Sequence, residues 1–360
     1  MFLALTEIRH SKMRYALIIL TITLIGYLTF ILTSLAYGLA QSNRSAVDSW
    51  RASSIVLNTE ADGGLRQSSL TKEQVDDVSP AGADVASIGE LSAVGTSAGD
   101  SDKTTVDLLG IDKDQFVYRE LNPTEGRRFD TAHETVADDG LKANGYALGD
   151  TIKVGDDTTL TIVGFVHNTK LNVAPVLYVP LETWQTRKFG DLPQGAPKPQ
   201  ASAVIERTAT PPQTPSGTER LGIAIFIEKL PGYSAQNITF SLMIGFLFVI
   251  TLVIIAIFQY ILTMQKIPNY MVLKIQGIPT WFLVKAMLIQ ATLIAIVGVV
   301  LAAGLAAATA LAIPPSVPMS FNMPLLTGAG LAIIVMSTLG SLASVKTIAT
   351  IRPTSIVAGE

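Results

Sequence analysis

Two stretches of this chain, Ile238 to Thr263 and Ala286 to Ile313, contain no formally charged residue. Uncharged runs of that length are not needed to fill a soluble core, whereas about 20 apolar residues suffice to cross a bilayer as a helix. Two further runs meet the same requirement, Tyr15 to about Leu39 and Leu325–Val345. Inside lipid each backbone N–H and C=O must be satisfied within the protein, which favours helices. The expected fold is an α-helical membrane protein with four transmembrane helices at 15–40, 237–263, 286–313 and 325–345. A mixed α+β extracytoplasmic domain is expected between helices 1 and 2. The first run has a signal-peptide look, since Arg9, Lys12 and Arg14 precede it and Gly38-Leu39-Ala40 offers small residues. Its apolar part is longer than the roughly 7–15 residues of a cleaved signal, so it reads as a retained anchor.

Charge separates the chain into two kinds of segment. Only 15 % of the 360 residues are charged, against about 25 % in soluble domains. Residues 51–216 hold 15 Lys/Arg and 24 Asp/Glu, and the remainder holds 11 and 5. An acidic, ordinary-looking segment is thus inserted into a basic, apolar frame. Arg9, Lys12 and Arg14 precede the first span, Lys266, Lys274 and Lys285 lie between spans two and three, and Lys346 and Arg352 follow span four. By the positive-inside rule all three clusters are cytoplasmic, which puts both termini inside and residues 41–236 and 314–324 outside. There is no Cys, which excludes disulfides, thiolate metal sites and a Cys nucleophile.

The outer segment, 41–218, is expected to mix helix and strand. Ser54–Asn58 and Thr104–Leu109 read as strands, and Thr71-Lys72-Glu73-Gln74 has capping-box spacing. Asp150–Val154 and Thr158–Val166 flank Gly155-Asp156-Asp157, a hairpin turn. Val176–Val179 and a helix from Pro180 to about Lys188 follow, then a Pro-rich linker over 190–218. Residues 219–236, with the apolar run Leu221–Leu230, read as a helix lying at the outer interface. Within it stands one carboxylate in apolar company, Glu228.

No phosphate-cradling Gly-x-x-x-x-Gly-Lys-Ser/Thr, no Gly-x-Ser-x-Gly and no His-Glu-x-x-His occurs. His10, His133 and His167 are scattered, none of them in a span, and Asp112/Asp114 and Asp156/Asp157 sit in turn-like contexts. No enzyme, no intrinsic cofactor and no nucleic-acid partner emerges. The segment 264–285 is amphipathic, and Gly277 ahead of Ile278-Pro279 signals a helix stop and restart. A plain intracellular turn and a docking elbow for a cytoplasmic partner both fit that spacing.

The pattern around Leu273-Lys274 and Gly277, ahead of a long third span, resembles the permease family named for FtsX and MacB. Leu5-Thr6-Glu7-Ile8-Arg9 with Ser11-Lys12-Met13-Arg14-Tyr15 looks like that family's N-terminal amphipathic elbow (1–14), and the basic 346–360 segment is similar to its tail. Asn122–Phe129 with Gly126-Arg127, Leu148-Gly149-Asp150 and Ile162-Val163-Gly164-Phe165 resemble landmarks of its extracytoplasmic domain. The order of these motifs along nearly the whole chain carries the resemblance. The compact outer segment is similar in size to those of the HrtB-type haem-efflux permeases and the DevC type. The resemblance implies a homodimer with two ATP-binding cassette subunits, membrane lipid around it, and ATP-Mg held by the partner. It makes 264–285 the coupling helix loop, with Met271, Leu273, Lys274 and Gly277 at the contact, and it places substrate at the outer leaflet.

Haem suits such a site, being an amphiphile whose iron needs an axial ligand. With no Cys and no His in the spans, the oxygen and sulfur donors near the outer membrane level are Glu228, Tyr233, Tyr37 and Met243. A carboxylate in apolar surroundings is costly without a cation, so Glu228 is the expected iron ligand, with Lys229 the ordinary alternative partner and an interfacial Glu solvated by lipid headgroups the plainer alternative still. Phe30, Phe240 and Phe246 would flank the porphyrin; at helical spacing they also suit lipid or dimer contacts. Permeases for a lipopeptide, lipoprotein or glycolipid, and a non-transporting lever acting on an outer enzyme, remain open alternatives.

Overall fold

The computed structural model describes residues 12–79, 84–97, 103–155, 158–190, 199–207, 214–314 and 317–342. Helix α1 (Lys12–Trp50) leads into β1 (Ser54–Asn58), α2 (Lys72–Val78), β2 (Val85–Ser97), β3 (Lys103–Ile111) and α3 (Phe116–Glu120). Then come β4 (Glu125–Gly126), β5 (Glu134–Asp138), β6 (Thr151–Val154), β7 (Thr158–Val166), β8 (Lys170–Leu171), β9 (Ala174–Pro180) and α4 (Leu181–Phe189). The chain continues through β10 (Ala203–Glu206), β11 (Thr218–Gly222) and α5 (Ile223–Lys229). It ends in three long helices, α6 (Tyr233–Ile275), α7 (Thr280–Ala312) and α8 (Met323–Ser341). The helices α1, α6, α7 and α8 are each long and apolar enough to cross a membrane.

The chain divides into two units. One is helical and contains the described residues up to Tyr37, Ile238–Pro314 and those from Met319 on; the other is built on Gly38–Asn237. In the helical unit, Tyr15, Ile18 and Ile22 of α1 pack with Ile255, Ile294, Ala295 and Ile333. Small residues set the spacing, as is usual where lipid removes any hydrophobic drive between helices. A Cβ on Gly298 would lie 2.7 Å from Ile22, and one on Gly340 2.6 Å from the Leu252 carbonyl oxygen. Large apolar side chains such as Leu242, Val249 and Leu331 remain exposed on these helices.

The second unit is a sheet of eleven strands ordered β11-β1-β10-β2-β3-β9-β5-β7-β4, with β6 pairing both β2 and β7 and β8 pairing β9. The long β2 serves two neighbours: its start pairs with β10, and Gly95–Ser97 pair with β6. The pairings therefore close a circuit β2-β3-β9-β5-β7-β6 around Val106, Leu108, Ile152, Leu160, Leu177 and Trp184. Pairing is antiparallel except for β3–β9 and β5–β7. The capping box at Thr71 forms in both directions, and β6 and β7 make the expected hairpin. The motif glycines meet where β4 crosses β7, Gly126 opposite Gly164. A Cβ on Gly164 would sit 2.3 Å from the Arg127 carbonyl oxygen. Arg127 grips Glu134 from that crossing and, with two backbone N–H groups, holds its carboxyl down at about 2.

Three expectations are corrected. The segment 190–218 is not simply a linker: Ala203–Glu206 is a fully buried strand between β1 and β2, and β11 begins at Thr218. Its flanks read as linker because Pro and Thr dominate them, and four residues are too few to show a period of two. The 219–236 segment is not one interfacial helix. Its start pairs with β1, residues 223–229 form α5, and Tyr233 already belongs to α6. Nor is 264–285 a separate helix loop, because α6 runs on to Ile275 with Pro268 inside it. Residues 1–11 of the expected N-terminal elbow and the tail from 343 lie outside the described residues.

Candidate substrate and coupling sites

Helix α5 is two turns long and buries Phe226 and Ile227 in the main core of the second unit, alongside Leu65 and Leu230. That commits the opposite side of the helix, with Glu228 and Lys229, to solvent. Lys229 donates to Asp62 at 3.1 Å, so it is not the partner of Glu228. No described residue pairs with the Glu228 carboxylate. The expectation of a carboxylate in apolar surroundings is thus corrected: Glu228 is exposed and accessible. The apolar run misled because Phe226, Ile227 and Leu230 face inward while Leu221 and Gly222 belong to a strand.

The remaining residues of the expected set fall in different surroundings. Tyr233 is buried, with its ring in the same core as Phe226 and Ile227. Asn43 of α1 donates to Gln236 at 3.2 Å, fastening the start of α6 within this unit. Tyr37, Met243, Phe30, Phe240 and Phe246 belong to the helical unit. Phe30 is enclosed by Ala302 and Ala306, so its ring is packing between helices and not on a surface. Tyr37 and Phe240 are half-buried, while Met243 and Phe246 are exposed on α6.

At the other end of the helical unit, α6 stops by a Schellman motif. The Ile278 N–H donates to the Leu273 carbonyl and the Gly277 N–H to the Lys274 carbonyl. Gly277 has φ +85°, the left-handed conformation that glycine adopts without steric cost. Pro279 then opens α7. Tyr270, Leu283 and Met287 form the local core, with Met271, Leu273 and Ile278 against it. Beside them runs a groove of about 370 Å³ lined by Tyr270, Leu273, Gln276, Ile278 and Phe282. Met271, Leu273 and Lys274 are half-buried, so Val272, Ile275, Trp281 and Phe282 form the apolar outer surface here. The sequence reading passed over those four because lipid-facing and partner-facing apolar residues look alike in a sequence. Deeper in, Lys266 donates to the Tyr15 hydroxyl at 2.8 Å and Gln290 donates to the same oxygen, tying α1, α6 and α7 together.

Residues 15–214 match the family described as MacB-like periplasmic core domain, and residues 241–353 match the FtsX-like permease C-terminal family. A protein of Staphylococcus haemolyticus named as a hemin transport system permease, HrtB, is 27 % identical over 84 % of this chain and 83 % of its own length. Its namesake in Staphylococcus epidermidis is 23 % identical over 90 % and 89 %. An ABC transporter permease of Mycobacterium tuberculosis is 27 % identical over 100 % of this chain and 99 % of its own. Among solved structures, the periplasmic region of MacB from Actinobacillus actinomycetemcomitans is similar, with a TM-score of 0.37 and 16 % identity over 48 % of this chain and 90 % of that one. The order of elements, one membrane-length helix before a MacB-like domain and three after it, agrees with both family matches. The chain belongs to the MacB/FtsX family of ABC transporter permeases and is a multi-pass membrane protein.

Proposed function

We propose that the chain is the non-catalytic permease subunit of an ABC-type efflux pump whose cargo, haem, is taken from the outer leaflet while a separate cassette subunit hydrolyses ATP-Mg. Family membership supports the permease role. The hemin-transport names of two relatives support the cargo, and the observation that carries the ligand assignment is the exposed Glu228 carboxylate, which has no partner among the described residues. An exposed carboxylate without a described partner can approach ferric iron without first breaking an ion pair. A homodimer would bring two such carboxylates to one assembly, with two ATPase subunits at the Gly277 elbow. The equally identical Mycobacterium tuberculosis permease, whose name states no cargo, favours a second reading: another amphiphile such as a lipopeptide, lipoprotein or glycolipid.

Haemin titration of the purified full chain tests the cargo. A high-spin ferric spectrum is expected. Glu228→Gln, which keeps size and polarity but loses the anion, should weaken binding by about 1–3 kcal/mol, the range for a charge-assisted partner. Lys229→Ala should leave the spectrum unchanged. Equal affinity in Glu228→Gln rejects the ligand role and passes it to Tyr233, then Tyr37, then Met243.

The orientation has its own test. Accessibility labels at positions 100 and 318 should react from outside, and those at 270 and 358 from the cytoplasm. A cytoplasmic signal at 100 would invert the assignment.

A further inference from the structure

Glu90 on β2 and Asp107 on β3 are charged residues in a place where charge is expensive. Asp107 lies opposite Ser92, two residues from Glu90, so both carboxyl groups share one face of the sheet. Their exposures are 1 % and 0 %. Glu90 Oε2 and both Asp107 oxygens lack a hydrogen-bond partner. One half-exposed side chain serves both groups: Arg66 Nε lies 3.3 Å from Glu90 and its NH2 group 3.6 Å from Asp107. The other facing cation, Lys188 of α4, directs its ammonium to the carbonyls of Arg66 and Glu90 and to Ser202 Oγ. A buried carboxylate oxygen without a donor carries an uncompensated desolvation cost.

We infer that Glu90 and Asp107 form a proton-operated latch, sharing one proton and loosening the Asp62–Arg66 segment from the sheet when that proton is lost. The proton supplies the missing donor and reduces two buried charges to one, which Arg66 balances. The segment it controls is short and doubly anchored. At its far end Asp62 holds Lys229 of α5, and the Gly63 N–H donates to Glu219 of β11 at 3.1 Å. Between the anchors, Leu65 shares its core with Phe226 and Ile227 of α5. Opening at the pair therefore loosens the support of the short helix that carries Glu228. The latch stands on the sheet geometry alone, whatever cargo Glu228 meets.

Burial, then repulsion from Asp107, pushes Glu90 up to about 7 against the pull of Arg66 and Lys188. Burial raises Asp107 too, with Ser92 and Arg66 opposing. For a carboxyl whose closed-state pKa is raised, the closed form is favoured while the group is protonated. That advantage is complete at acid pH and is lost as pH rises through about 7.

Hydrogen exchange of the full chain in detergent, corrected for intrinsic rates, reads the latch directly. Between about pH 6 and about pH 8.5, amides of residues 62–70 should lose protection about tenfold, the change expected when a pKa near 7 falls to the ordinary carboxylate range on opening. Glu90→Gln and Asp107→Asn should each abolish that pH dependence while leaving haemin titration at about pH 6 unchanged. Wild-type protection that is flat across this range overturns the latch, as does a pH effect that survives in both variants. Protection restored at high pH by Ca²⁺ and not by Na⁺ would make the pair a cation site instead. If both variants misfold, infrared spectroscopy of the wild type decides: a buried protonated carboxyl band must be present at acid pH and vanish above neutrality.

Discussion

Trp184→Ala should destabilise the outer domain by about 3–5 kcal/mol, the usual cost of removing a large buried aromatic ring. Trp184 projects from α4 onto a place in the sheet where two glycines pair, Gly89 opposite Gly110. A Cβ on Gly89 would fall 2.1 Å from the indole, and one on Gly110 2.5 Å from Trp184 Cβ. The ring also meets Phe189 edge-on at 5.6 Å and carries the Lys188 ammonium above it at 5.2 Å. For a domain of this size the loss corresponds to a melting point lower by roughly 10 °C. The glycine platform makes the claim specific. Gly89→Ala should be strongly destabilising in the wild type and much milder in the Trp184→Ala background, because its Cβ would meet the indole itself, and the clash and the ring disappear together. Equal costs in both backgrounds would show that the glycines serve some other purpose.

The second large effect belongs to the elbow. Gly277→Val is expected to lower ATP-driven activity of the assembled transporter by at least about tenfold. A β-branched residue strongly resists the left-handed conformation that the Schellman stop requires. Nothing lies within 4 Å of a Cβ built at Gly277, so the penalty comes from the backbone and not from a clash. That separates two outcomes. Gly277→Asn, a residue that tolerates this conformation, should retain most of the activity. The readout is cargo-stimulated ATP hydrolysis in proteoliposomes containing both subunits. Normal coupling after replacement of residues 266–282 by a flexible linker would remove the elbow from the mechanism.

The two sites differ in how far they were legible. At the elbow, Gly277 and Pro279 announced a stop and restart because helix termination is a local matter of backbone conformation within a few residues. The helices themselves run further than the apolar runs suggested. α1 continues to Trp50 and α6 from Tyr233 to Ile275, since an apolar count measures what lipid requires and not where hydrogen bonding ends. Glu228 was misjudged because exposure on a helix of two turns depends on which side meets the core. That was set by where β11 ended and α5 began. Glu90 and Asp107 drew no notice, since acidic residues in an acidic segment look solvated.

What the sequence by itself determined was the number of membrane-length helices, the insertion of a mixed domain after the first, and the stop at Gly277. Each follows from residues adjacent in the chain: uncharged length, a change in composition, or one backbone preference. What only the tertiary structure decided was pairing and burial. It placed Ala203–Glu206 in the middle of the sheet, closed the circuit through β6, turned Glu228 to solvent and enclosed Glu90 with Asp107. Strand register and the burial of a charge depend on partners tens to more than a hundred residues away, and no local pattern of polar and apolar residues specifies which partner that will be.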